Sequence, residues 1–329
     1  MTIPSAINAM QRTRDKIDIT SQERSMSTTC IDAEPLVFGA SEQSTFKVCT
    51  FLVNVLSNMY SQWEKAGSHD ATDFKWTPVN ACPVTQDFKV SDFSFSSLIW
   101  STFTYKNALG VEKTATEPFG CIAKSNADGA FYLVFRGSKS VADFLVDAET
   151  DPVVYSAPTP NPPSGIQVEK GWYAVYNGLV DDLRDQLQQI GGAGQKLIIT
   201  GHSLGSTLAT LAVPDAVANC LLVYQYNSAS PMVGFESFRT YYDSLKVIGS
   251  GPGLLKDTFR LVNTADTVPN FPSKPSGYVH VGTQVSFKAD YGAEQKTHDP
   301  CCSYAYAIYN PTAPCNPTHD ACALTNNSL

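Results

Sequence analysis

The sequence predicts an α/β fold, with a mostly parallel central sheet covered by helices on both faces. Three observations predict it. Short apolar runs alternate with longer segments of helical period from about residue 119 onward. One of them, Leu197-Ile-Ile199, is apolar on every residue, as a strand buried on both sides should be. Of the 329 residues, 43% are hydrophobic, enough to bury a substantial core.

The elements follow in order. Residues 1–40 are polar, without a clear period, and read as an N-terminal arm. Phe46, Cys49, Val53, Leu56, Tyr60 and Trp63 share one helix face. Residues 68–92 show no sustained period and read as loop. Phe119 to Lys124 and Phe131 to Arg136 flank the turn residues Asn126 to Gly129, which predicts a hairpin. Asp151 to Gly165 holds five prolines and reads as an extended surface loop. Trp172, Val175, Leu179, Leu183 and Leu187 predict a helix ending at Gly191-Gly192. Lys196 to Thr200, Leu221 to Tyr226 and Phe259 to Asn263 read as strands, with Leu208 to Val217 as helix. The domain expected is 41–305, followed by a cysteine-containing tail over 306–329.

Charge and cysteine content narrow the class. The net charge is -8, and no basic patch offers a footprint for nucleic acid. No apolar run approaches the roughly 20 residues of a membrane-spanning helix. The first twenty residues lack the apolar stretch of a secretory signal, which favours the cytoplasm if Met1 is the native start and leaves secretion open if it is not. Nine cysteines, four of them beyond residue 300, are compatible with a disulfide-stapled tail; no Cys-x-x-Cys pair accompanies them to mark a zinc site.

The chemistry concentrates at Gly201-His202-Ser203-Leu204-Gly205, between an apolar strand and an apolar helix. A nucleophilic serine must project from a sharp strand-to-helix turn, and flanking glycines permit the close chain approach such a turn needs. The plainer alternative is a glycine-rich turn with a helix-capping serine. A serine hydroxyl needs a base, and the base needs a carboxylate to orient it. In this architecture the order is serine, acid, histidine, leaving His280, His298 and His319. Asp266 follows a strand and is the favoured acid over Asp243 and Asp257, although a turn-forming aspartate would look the same. His280 sits in an alternating apolar stretch that suits a structural residue. His298 lies in a polar loop and His319 in the tail; position alone favours His298 without removing the others.

The chain resembles the fungal-type triacylglycerol lipases, or class 3 lipases, of the α/β-hydrolase superfamily. Five segments carry the likeness: Phe135-Arg-Gly-Ser138 with Phe144 and Asp147; Gly201 to Gly205; Ser230-Pro-Met-Val-Gly234; Asn263 to Pro272; and Tyr278 to Gly282 with His298 and Tyr304. The resemblance implies an α/β-hydrolase fold, a triad of Ser203, Asp266 and His298, and a structural His280. It further implies an oxyanion hole from Ser138 and Leu204, and a short lid helix after Ser138 that presents Val141, Phe144 and Leu145 on one face. Phe144 stands where the family often has Trp, and Met232 where Arg often follows the proline.

The activity implied is hydrolysis of acylglycerol esters through an acyl-enzyme on Ser203, with no metal or cofactor. The partner is a lipid or small ester substrate met at a lipid–water interface, with no nucleic acid and no transmembrane segment. A phospholipase A1 or a feruloyl-type esterase would use the same triad, and an acyltransferase would resolve the acyl-enzyme with an alcohol. A non-catalytic lipid-binding module is the remaining class, and intact Ser203, Asp266 and His298 argue against it.

Overall fold

The computed structural model describes residues 30–106, 111–138, 151–159, 162–191, 194–219, 221–245, 257–273 and 277–322. Its strands are β1 (Asp32–Glu34), β2 (Phe93–Lys106), β3 (Glu112–Ser125), β4 (Phe131–Phe135), β5 (Pro152–Val154), β6 (Gln167–Glu169), β7 (Lys196–Gly201), β8 (Leu222–Ser228), β9 (Gly234–Phe235), β10 (Thr258–Asn263), β11 (Tyr278–Val279) and β12 (Thr283–Asp290). The helices are α1 (Ala40–Glu64), α2 (Lys170–Gln189), α3 (Leu204–Ala218), α4 (Glu236–Ser244), α5 (Glu294–Thr297) and α6 (Tyr306–Tyr309), with a π-helical turn at Pro300–Ala305.

Eight strands form the main sheet in the order β1-β12-β10-β8-β7-β4-β3-β2. From β4 to β12 every neighbouring pair is parallel. The flanking pairs are antiparallel. The expected mostly parallel sheet is therefore present. A second sheet, β11-β9-β6-β5, lies apart from it.

Side-chain alternation sends each strand's residues to two cores. Leu133 and Phe135 of β4, with Leu197 and Ile199 of β7, pack with α2 and α3. Tyr132, Val134 and Ile198 point the other way, into a cluster with α1. Helices thus cover both faces. Helix α3 is buried at every residue from Leu204 to Ala216, which explains why its sequence is apolar almost all round. Among the described residues no helix is long and apolar enough to cross a membrane.

Several elements have no counterpart in the sequence reading, among them β1, within residues read as an arm, β2, β12 and α4. Strand β2 is hidden because register shifts between Phe95 and Leu98 and between Ile99 and Trp100 break the two-residue period. The proline-rich stretch begins with a strand, β5, whose Pro152 sits at its first residue on a sheet edge, where a missing N–H costs little. Disulfides join Cys30 to Cys315, Cys82 to Cys301 and Cys302 to Cys322. Only the last lies wholly beyond residue 300; the other two tie that region to the chain's start and to the loop before β2. Helix α6 lies next, with Ala307 and Ile308 packed in the α1 cluster.

Candidate active site

Ser203 sits at the turn between β7 and α3 with φ 56°, a left-handed conformation that costs a non-glycine residue energy and is held only by its surroundings. The surroundings are visible in the two glycines. A Cβ on Gly201 would lie 2.2 Å from the Gly205 carbonyl carbon, and one on Gly205 would lie 2.4 Å from the Phe135 carbonyl oxygen. The helix can therefore start directly against the strand ends only if both positions lack side chains. Leu204 is the first residue of α3, so its N–H has no intrahelical acceptor.

The segment after β4 runs alongside this turn. A Cβ on Gly137 would lie 3.4 Å from Ser203 Cβ. That places Gly137, the residue before half-buried Ser138, beside the serine. Arg136 fixes the approach: its guanidinium donates to the carbonyls of Pro118 at 2.7 Å and Gly137 at 2.9 Å and pairs with Glu117 at 2.5 Å. It also stacks over the rings of Tyr60 and Phe119.

Asp266 lies past the C-terminal end of β10, where open parallel sheets present functional groups. Its Oδ2 accepts from His298 Nδ1 at 2.8 Å and from the Tyr304 hydroxyl at 2.6 Å, while Oδ1 accepts from Val268 N at 2.9 Å. Burial pushes this carboxyl up, but the His298 charge and the donated hydrogen bonds outweigh it and hold it below the usual carboxylate range. Both Asp266 and His298 are buried.

His202 joins this pair to the serine turn. Its ring lies 4.6 Å from that of His298, and its Nε2 is 2.9 Å from the His298 carbonyl oxygen. A carbonyl only accepts, so Nε2 carries the proton and Nδ1 accepts from Ser228 Oγ at 3.0 Å. Burial drives this imidazole well below its ordinary value, with the His298 charge adding to the effect, so the ring is neutral. Asn263 ties the acid loop to the base segment: its Nδ2 donates to Ala289 O at 2.9 Å and Thr297 O at 3.2 Å.

Among the described residues, His298 is the one candidate histidine hydrogen-bonded to a candidate carboxylate. His280 is pushed down to about 3 by burial and by the neighbouring Arg260. His319 Nε2 contacts Lys296 O at 2.9 Å. Asp243 lies within α4, and Asp257 precedes β10 rather than following it. Val141, Phe144 and Leu145 lie outside the described residues. Ser228 is a site residue without a sequence signal, acting through a tertiary contact; His202, Asn263 and Tyr304 stand inside the quoted motifs without a visible role there. Cys301, Cys302 and Cys322 gather sulfurs as metal sites do, but their thiols are consumed in disulfides; Asp299, Cys302 and His319 form a second such group with the same limitation at Cys302.

A family model described as Lipase (class 3) matches residues 132–276. A lipase of Rhizomucor miehei is 30% identical over 212 residues, spanning 62% of this chain and 49% of that protein. The secreted mono- and diacylglycerol lipase A of Penicillium cyclopium is 30% identical over 193 residues, spanning 57% of this chain and 58% of that protein. The chain thus spans about half the length of the curated relatives it matches. The solved structure of Lip2 lipase from Yarrowia lipolytica superposes with a TM-score of 0.52 at 19% identity, covering 78% of this chain and 82% of that one. At that identity the likeness establishes the fold, which is the α/β-hydrolase fold. From β4 past Asp266, on that sheet, residues 132–276 are similar to the class 3 lipases.

Proposed function

We propose that the chain is a serine carboxylester hydrolase, a lipase that cleaves acylglycerol esters through an acyl-enzyme on Ser203. The observation that carries the reading is the buried Asp266–His298 pair at 2.8 Å, joined through His202 to a serine held at positive φ on a strand-to-helix turn. The names of the relatives, lipase and mono- and diacylglycerol lipase, support acylglycerols as the substrate class.

In this reading Ser203 Oγ attacks the ester carbonyl while His298 Nε2 takes its proton. Asp266, ionised, accepts from Nδ1 and stabilises the imidazolium. The N–H groups of Ser138 and Leu204 stabilise the tetrahedral oxyanion, and loss of one such donor costs roughly 3 kcal/mol. His298 then protonates the departing alcohol. Water, deprotonated by the same histidine, attacks the acyl-enzyme and releases the carboxylic acid. His202 acts through His298, since its neutral ring holds the His298 carbonyl.

The lid of Val141, Phe144 and Leu145 makes the enzyme interfacial. Uncovering Ser203 at a lipid surface would bury Phe144 there, a contribution of about 2 kcal/mol to the open form. Three disulfides support residence in an oxidising compartment rather than the cytoplasm. The test is a hydrolysis panel of short- and long-chain glycerol esters, phosphatidylcholine and an aryl ester, assayed below and above each solubility limit. Preference for aggregated acylglycerols supports the reading, and loss of that preference in Phe144→Asp supports the lid. Activity confined to phosphatidylcholine or the aryl ester would replace the substrate class, and equal activity across the solubility limit would remove the lid.

A further inference from the structure

Residue Glu294 has no role in the triad, yet it touches both halves of it. Its Oε1 accepts from Thr267 N at 2.9 Å and from Thr267 Oγ1 at 2.9 Å, and Thr267 directly follows Asp266. Its own carbonyl accepts from His298 N at 2.8 Å. A single residue thus holds the turn carrying the acid and the short helix carrying the base, which lie on separate segments 32 residues apart.

The ordinary explanation for an acidic residue in a helix's first turn is interaction with that helix's own N–H groups. That explanation does not apply. Helix α5 has four residues and no side-chain cap, and the Glu294 carboxyl reaches across a sequence separation of 27 instead. There its carboxyl also faces that of Asp266. Burial, followed by that contact, pushes the Glu294 carboxyl up, so it holds its proton more readily than an exposed glutamate. In its protonated form Oε1 still accepts from Thr267, and the carboxyl has a proton to offer Asp266.

Apart from Asn263, which ties the acid loop to the Thr297 carbonyl, the other contacts constrain Asp266 and His298 singly. Val268 N holds one Asp266 oxygen, and the Tyr304 hydroxyl holds the other. The His298 segment is pinned from its far side by His319 on the Lys296 carbonyl and by the Cys302–Cys322 disulfide. Glu294 is where side chain and backbone of one residue span the gap between acid and base.

We propose that Glu294 is a positioning residue that clamps the Asp266 turn to the His298 helix and thereby sets the geometry of the acid–base pair. The inference rests on the triad reading above. Misplacement of a catalytic group by about 1 Å costs on the order of 100-fold in rate, so loss of the clamp acts on kcat rather than on substrate affinity.

The experiment compares Glu294→Ala, Glu294→Gln and Thr267→Val in the full chain with disulfides intact, on a water-soluble short-chain ester. Glu294→Ala is expected to lower kcat by about 10- to 100-fold with KM within about twofold of wild type. Glu294→Gln keeps an acceptor for Thr267 and a donor for Asp266, and is expected to stay within about threefold of wild type. Thr267→Val, which loses one of the two contacts, is expected to lower kcat by about two- to fivefold, and its effect on top of Glu294→Ala should be less than additive. The proposal is overturned if Glu294→Ala retains more than about half of kcat, if its loss lies in KM, or if Glu294→Gln falls as far as Glu294→Ala. Should Glu294→Ala not fold, the other two decide: a near-normal Glu294→Gln with a slowed Thr267→Val upholds the clamp, and an unaffected Thr267→Val overturns it. Ser203→Ala separates the two claims. If it is inactive while Glu294→Ala is normal, the clamp alone fails; if it is active, the triad reading fails and the clamp with it.

Discussion

Tyr304→Phe tests the electrostatics of the site without reference to any substrate. The hydroxyl is fully buried, donates to Asp266 Oδ2 at 2.6 Å and accepts from Asn263 N at 3.1 Å. Removing it deletes a hydrogen bond to a charged acceptor, about 1.5–3 kcal/mol, and strands a buried backbone N–H, about 1–3 kcal/mol. Together these predict a destabilisation of about 2.5–6 kcal/mol at pH 7, against a typical domain stability of about 5–15 kcal/mol. The two parts separate by pH. Asp266 is held below its unfolded value, so its contribution to stability is full above the ordinary carboxylate range and is lost as pH falls through the depressed folded value. Losing the Tyr304 bond moves that folded value upward, so the mutant loses its Asp266 contribution at a higher pH than wild type. Once both proteins have Asp266 protonated, the charge-dependent part of the difference is gone and the stranded N–H remains. Denaturant unfolding of both proteins between pH 7 and pH 3, disulfides intact, measures the difference. A destabilisation that is the same at every pH would refute the assignment of an ionised Asp266 beneath Tyr304.

Further outcomes follow from neighbouring contacts. Gly201→Ala places a methyl 2.2 Å from the Gly205 carbonyl carbon and is expected to destabilise by about 1–3 kcal/mol or more, with lost activity, as read by thermal unfolding and ester assay. His298→Ala should abolish turnover and also lower stability, because it strips a hydrogen bond from buried Asp266, whereas His280→Ala should act on stability with turnover retained; His280→Ala folded but inactive, with His298→Ala folded and active, would reassign the base. Replacing Cys302 and Cys322 together by Ala opens a loop of sequence separation 20 and should cost about 3 kcal/mol by chain entropy, measurable by denaturant titration.

Much of this architecture is legible in local sequence because local physics determines it. The alternation of Leu133 and Val134 between two cores, the run Leu197 to Ile199, and the paired glycines around Ser203 each follow from neighbours within a few residues. Asp266 was recognisable by its place after a strand. Choosing among three histidines by position was harder, because the contact that distinguishes His298 spans 32 residues. His202 on the His298 carbonyl spans 96, and no periodicity reports such a pairing. Cysteine pairing is equally remote, with Cys30 and Cys315 separated by 285. Strand β2 was obscured by its own bulges. Glu294 was invisible for a related reason: its significance lies in Thr267, which the sequence places 27 residues away.

The central claim is that Ser203 is a nucleophile activated by His298 and Asp266, and covalent trapping tests it most directly. The protein is incubated with a fluorophosphonate, digested, and mapped by mass spectrometry, alongside Ser203→Ala and His298→Ala. The account predicts one adduct per chain, located on Ser203, absent from Ser203→Ala and formed at least about 100-fold more slowly in His298→Ala. An adduct on any other residue, or labelling of Ser203 at an undiminished rate in His298→Ala, would contradict it.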